Sequence, residues 1–121
     1  MIFLGGTLVG MSAHLEVHVT AGSLDEAEQI ATAVVGRRLA AGAQITGPIT
    51  STYWWKGEIQ RAEEYLVLMK TTKARLDDLI TVVRGAHSYD TPEIVAVPIE
   101  AGLASYLQWI NEETAESALD A

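Results

Sequence analysis

Residues 45–72 read ITGPITSTYWWKGEIQRAEEYLVLMKTT, and this stretch decides the fold. Ile, Thr, Tyr and Trp crowd its first half, as they crowd strands, where branched and aromatic side chains pack well on a pleated surface. Lys56-Gly57 is a two-residue turn signal, so residues 58–72 return as a second strand against the first. The end of that return, Tyr65-Leu66-Val67-Leu68-Met69, is apolar at every position. A strand apolar on both faces belongs in the middle of a sheet. Gly47-Pro48 interrupts the outgoing arm near its start and predicts a bulge or bend, since Pro brings no backbone donor to the ladder.

Upstream of the hairpin, residues 14–20 alternate, with Leu15, Val17 and Val19 on one face and Glu16 and His18 on the other. That is the period of a half-buried strand. Ser23 and Glu26 have capping-box spacing, and Ala27, Ile30, Ala31, Val34 and Val35 repeat on one helical face. This helix is expected to run to about Ala41, with Gly42 as its terminator. Downstream, Leu76, Leu79, Ile80 and Val83 mark a second helix ending near Gly85, followed by the loop His87-Ser88-Tyr89-Asp90-Thr91-Pro92. Residues 94–99 are a short apolar run broken by Pro98, which favours an edge strand. Leu103, Tyr106, Leu107 and Ile110 predict a third helix, and the tail from about Thr114 has little to bury and is expected to fray. Strand, helix, strand, strand, helix, strand, helix is the plan of two split βαβ units sharing a hairpin. The expected fold class is α+β, a ferredoxin-like sandwich with the first and third strands central and the first two helices on one face.

The remaining bounds come from composition. A chain of 121 residues, 49% hydrophobic and 20% charged, makes one domain with a real core. Residues 1–11 are expected to be an N-terminal extension, disordered or an upstream start, and 12–121 the single domain. MIFLGGTLVG is too short to span a bilayer and has no basic n-region, which places the chain in the cytoplasm by default. Sixteen Asp and Glu against eight Lys and Arg give a net charge of -8, which excludes nucleic acid and anionic membrane as expected partners. There is no Cys, so no disulfide or thiolate chemistry. With no Gly-rich phosphate loop, G-x-S-x-G elbow, H-E-x-x-H or Cys/His couple, the chain reads as a non-enzyme with no catalytic residue.

Both edge strands of this plan are greasy: the fourth carries Ile94-Val95-Ala96-Val97 and the second ends in Tyr53-Trp54-Trp55. Unblunted apolar edges invite pairing with another chain. Each arm of the hairpin is also roughly 30 Å long, more than two helices cover. A closed homo-oligomer, each hairpin adding to the next chain's sheet, removes the free edges.

Four blocks then fall in register. Tyr53-Trp54-Trp55-Lys56-Gly57, Glu64 followed by Lys70-Thr71-Thr72, His87-Ser88-Tyr89-Asp90-Thr91-Pro92-Glu93-Ile94, and Tyr106-Leu107-Gln108-Trp109-Ile110 resemble the CutA divalent-cation-tolerance family over residues 15–111. The resemblance implies a tight homotrimer of ferredoxin-like subunits similar to the PII signalling proteins. It also implies a part in tolerance of, and response to, copper and other divalent metals, with copper binding in some members. The family's copper-site Cys falls on Val19 and the first loop His on Ala86, so His87 is the candidate metal residue that survives; a further family Cys falls on Gly42. His87 with carboxylates such as Glu64, Asp90 or Glu93, or with imidazoles gathered at a trimer axis, makes a weak site for copper or zinc. Met11 and Met69 are the available thioethers. His14 and His18, about 13 Å apart along a strand, cannot share one ion.

A second reading treats Trp55, Glu64, Lys70, Tyr89, Glu93 and Trp109 as the walls of an inter-subunit cleft. The chain would then be a PII-like signalling trimer that holds a small anionic ligand on Lys70 and offers its hairpins to an unidentified protein partner. In a purely structural role, Lys70 and Glu64 would pair across subunits.

Overall fold

A computed structural model of the protein describes residues 13–116. In chain order the elements are β1 (His14–Ala21), α1 (Leu24–Gly36), β2 (Gly42–Trp55), β3 (Glu58–Thr72), α2 (Leu76–Ala86), β4 (Ile94–Pro98) and α3 (Ala104–Thr114), with a single 3₁₀ turn at Lys73–Arg75. The sheet order is β2-β3-β1-β4, every neighbour antiparallel, so β1 and β3 are the central strands of an α+β ferredoxin-like sandwich, as expected. Alternation decides which face is covered. Val17, Val19 and Ala21 of β1 and Val67 and Met69 of β3 are fully buried in one core with Ala27, Ile30 and Val34 of α1 and Leu79 and Val83 of α2. Each large aliphatic side chain so buried contributes about 1.5–3 kcal/mol before entropy is counted.

α1 starts where the sequence puts it and stops early. Ser23 Oγ accepts the Glu26 N–H at 3.1 Å, one half of the expected capping box. The Glu26 carboxylate serves the loop after α2, receiving the Ser88 hydroxyl at 3.1 Å. The helix ends at Gly36, not near Ala41, because Arg38 takes a left-handed conformation (φ 57) that turns Leu39 and Ala40 into the core. The Leu39 carbonyl there accepts the buried Thr71 hydroxyl. Gly42 is therefore no helix terminator. It opens β2 opposite Lys70, and a Cβ on it would stand 3.3 Å from the Trp109 ring.

The hairpin closes with Trp55 opposite Glu58 across Lys56 (φ 51) and Gly57 (φ 80), the double positive φ of the tight turns that match strand twist. The ladder shifts register between Thr46 and Ile49, as Gly47-Pro48 predicts, and the Gly47–Pro48 peptide is cis. A Cβ on Gly47 would lie 2.6 Å from the Tyr65 ring, so only glycine lets the two arms approach here. β1 pairs with β3 only as far as Ala21 opposite Tyr65. Beyond that point the ladder from Ile49–Glu64 to Trp55–Glu58 runs on as two strands alone, roughly 20 Å at the usual rise. Trp54 and Ile59 on this projection are 71% and 61% exposed.

α3 packs by Ile110 and Thr114, and Arg38 Nη1 holds Glu113 Oε1 at 2.8 Å, tying α3 to the end of α1. Thr114 is 2% exposed, so the fraying expected from about Thr114 does not begin there. The expectations for residues 1–11 and for the last residues of the tail lie outside the described residues.

Candidate functional site

The loop between α2 and β4 is fastened by His87. Its imidazole is buried, with Nε2 2.6 Å from the Thr20 carbonyl and Nδ1 3.1 Å from the Tyr89 N–H and 3.2 Å from Glu26 Oε2. A carbonyl only accepts, so Nε2 carries the proton, and in the neutral ring Nδ1 receives the Tyr89 N–H. Both nitrogens are thus engaged inside the fold, clasping the end of β1 to the loop. His87 and Tyr89 also stack with ring centroids 4.6 Å apart.

This clasp aims Tyr89. Its hydroxyl donates to Glu64 Oε2 at 3.0 Å, and a Cβ on Gly22 would stand 3.1 Å from the same hydroxyl, so the glycine is what lets the phenol in. Burial, and then the Glu64 carboxylate, push the Tyr89 hydroxyl up to about 12. The phenol remains a donor. Glu64 sits where the hairpin leaves the sheet and is 7% exposed.

Between the base of the hairpin and the 87–93 loop opens a cleft of about 540 Å³. Glu64, Asp90 and Glu93 bring carboxylates to it, Ser51, Thr52 and Thr91 bring hydroxyls, and Tyr53, Trp55 and Tyr89 bring rings. None of the residues lining it is Lys, Arg or His. Four residues expected in a pocket, Trp55, Glu64, Tyr89 and Glu93, are brought together here. Lys70 and Trp109 are not. Six residues of strand, about 20 Å, separate Lys70 from Glu64. Lys70 Nζ instead holds Glu16 Oε1 at 3.1 Å while His18 Nε2 takes the other oxygen at 2.7 Å, and together they keep the Glu16 carboxyl below its usual range. Trp109 lies over Gly42 and against Tyr106. Within one chain Lys70 and Glu64 thus have different neighbours, and the pairing expected between them is one across subunits.

His87 does not line the cleft, and among the described residues no three His, Asp or Glu side chains are close enough to hold a metal ion together. Sequence reasoning missed Gly22, Ser51, Thr52 and Tyr53. Ser51 and Tyr53 were within reach, since a strand's period of two puts them on the face of Trp55. Gly22 was not, because its role exists only once a ring from a distant loop arrives. No helix among the described residues is long and apolar enough to cross a membrane.

Residues 15–113 match the family model for CutA1 divalent ion tolerance protein. The divalent-cation tolerance protein CutA of Archaeoglobus fulgidus is 42% identical over 99 residues, covering 82% of this chain and 96% of the relative. The human Protein CutA is 41% identical over 102 residues, 84% of this chain but 56% of its own length. Among solved structures, the periplasmic CutA of Archaeoglobus fulgidus superposes with a TM-score of 0.81 over 84% of this chain and 98% of that one, at 42% identity. The Thermus thermophilus divalent cation tolerance protein gives 0.83, at 41% identity over 84% of this chain and 99% of that one. The match spans nearly all the folded part, including the hairpin, the 87–93 loop and α3, and the chain belongs to the CutA1 divalent ion tolerance family.

Proposed function

We propose that this chain works as a non-enzymatic homotrimer in tolerance of divalent cations, copper among them, by weak and reversible cation binding at the acidic cleft. One observation carries the reading: a buried carboxylate, Glu64, faces a cleft whose charges are all negative. Binding is weak because no preformed cluster of three ligands exists among the described residues, and no Cys supplies the soft sulfur that copper prefers. The trimer is supported by the two-stranded projection and by the apolar side chains left open on β4 and around the start of α3, Val95 and Val97 with Leu103 and Tyr106. The cytoplasm is our reading for its place, unlike the periplasmic relative from Archaeoglobus fulgidus and the chloroplastic relative from rice.

Isothermal titration with Cu(II) and Zn(II) tests this. Dissociation constants of roughly 10 μM or weaker are expected, about −7 kcal/mol, with the heat abolished by Glu64→Gln. Heat that survives Glu64→Gln places the metal elsewhere and ends the reading.

The PII-like alternative, a trimer holding a small molecule at its inter-subunit clefts and touching a protein partner through its hairpins, is favoured by the cleft's volume and by exposed Trp54 and Ile59. The charge of the lining argues that such a molecule is a cation and not the anion that Lys70 would have held.

A further inference from the structure

Glu64 brings to the cleft a carboxylate that no basic side chain lining it neutralises. The residue is more than nine-tenths buried, and one oxygen, Oε2, receives the Tyr89 hydroxyl. The other, Oε1, takes no hydrogen bond among the described residues. The nearest basic residue along the hairpin ladder, Arg61 opposite Thr52, is exposed and does not line the cleft. Burying a carboxylate costs least where a donor or a cation faces it, and a cation in the cleft would face the oxygen that Tyr89 leaves open.

The walls indicate what kind of positive group. A bare metal ion is held tightly only where several oxygen or nitrogen ligands converge at fixed distances, and among the described residues no three acidic or imidazole side chains converge, so a metal ion alone is held weakly here. The volume of about 540 Å³ is that of a small-molecule site, far beyond one ion. Trp55 and Tyr53 offer ring faces and apolar edges beside the carboxylates, the surface on which an alkylammonium group and its methylene stem are both stabilised. Asp90 and Glu93 add a second negative pole at the loop side of the same cleft. We infer that the cleft is a site for a small linear diamine or polyamine, with one ammonium on Glu64, the aliphatic chain along Trp55 and Tyr53, and the second ammonium toward Asp90 and Glu93. This rests on the reading of the cleft as a cation site and names an organic ligand class for it. A lysine side chain of another protein, or of a second copy of this chain, shares the alkylammonium chemistry, so the test must separate free amine from a tethered one.

The experiment titrates the full chain at low salt with 1,4-diaminobutane, spermidine, n-butylamine, 1,4-butanediol and succinate, followed by calorimetry and Trp fluorescence. Diamine and triamine are expected to bind, the monoamine more weakly by about tenfold, and the diol and dianion not at all. Glu64→Gln should lower diamine affinity about ten- to a hundredfold. Asp90→Asn with Glu93→Gln, both exposed, should erase the advantage of diamine over monoamine, which keeps the test decisive if the Glu64 variant fails to fold. No binding at about 10 mM diamine, equal binding of the diol, or affinity indifferent to both sets of substitutions overturns the inference. Cu(II) and Zn(II) titrations run alongside separate the two readings. Amine heat without metal heat ends the metal reading alone, and metal heat lost in Glu64→Gln without amine heat ends this one alone. A crystal structure of the assembly with a partner subunit's Lys or Arg on Glu64 ends both.

Discussion

Tyr89→Phe removes one oxygen atom, and its effect on stability follows from what Glu64 then lacks. The 3.0 Å bond from the Tyr89 hydroxyl is the sole hydrogen bond that Glu64 receives among the described residues, and the acceptor is a carboxylate 7% exposed. Hydrogen bonds to charged groups contribute about 1.5–3 kcal/mol, and leaving a buried acceptor unsatisfied costs a similar amount. Tyr89 is itself 38% exposed, so water reaches one side of the pair and the lower half of that range applies, about 1.5–2 kcal/mol. Glu64→Gln keeps an oxygen for the phenol but turns a charge-assisted bond into a neutral one. The double variant leaves no bond at all. A double-mutant cycle should therefore show a coupling of about 1 kcal/mol or more between the two positions. Urea unfolding at one fixed protein concentration is the assay, because an oligomer's apparent stability moves with concentration. Coupling within about 0.3 kcal/mol of zero would falsify the claim that Tyr89 is Glu64's protein partner.

Three further outcomes follow from the same geometry. Tyr89 ionises at about 12 in the folded protein against 10.0 for a free phenol, so the folded state holds a proton that the unfolded chain releases first. Its contribution to stability is whole below pH 10.0 and is lost as pH rises through about 12, which phenolate absorbance followed beside alkaline unfolding will show. Gly22→Ala places a Cβ 3.1 Å from the Tyr89 hydroxyl and pushes the phenol off Glu64, at a cost of about 1 kcal/mol in urea unfolding; Gly36→Ala, which meets nothing within 4 Å, is the control and should not destabilise. Trp54→Lys on the projecting hairpin should weaken self-association without unfolding the subunit, seen as a lower sedimentation coefficient at unchanged far-ultraviolet circular dichroism.

The fold was legible because its signals are periodic. Val17 and Val19, Val67 and Met69, and the 27, 30, 34 stripe each announce a buried face by spacing alone, and Lys56-Gly57 announces the turn. The end of α1 was not legible, since Arg38 adopts a left-handed conformation to let Leu39 and Ala40 reach the core, a tertiary demand that no local pattern encodes. Within one subunit, Trp55, Glu64, Tyr89 and Glu93 share the cleft, while Lys70 lies apart from it. Lys70 and Glu64 flank the same apolar stretch in the text of the sequence, yet a strand spreads six residues over about 20 Å, enough to give each a different neighbourhood. Lys70 found Glu16 through register, and Glu64 found Tyr89 through a loop clasped by His87.

Assembly and binding at this cleft should be linked, and the link is measurable. Ser51, Thr52, Tyr53 and Trp55 all stand on the part of the hairpin that extends beyond β1, where two strands stand without a third. An isolated two-stranded ladder is marginal in water, so these walls are held in place by whatever the hairpin leans on. If that support is a second and third copy of the chain, subunits on dilution lose the walls along with the contact. A cleft ligand then favours the assembled state, and by reciprocity assembly favours the ligand by the same factor. At a diamine concentration about a hundredfold above its dissociation constant, each occupied cleft should stabilise the assembly by about 2.7 kcal/mol. Sedimentation at falling protein concentration, with and without 1,4-diaminobutane, reads this as a shift of the dissociation midpoint to lower concentration. A midpoint that stays in place while the amine is bound would show that the hairpin walls are rigid without a neighbour, and that this cleft belongs to each subunit alone.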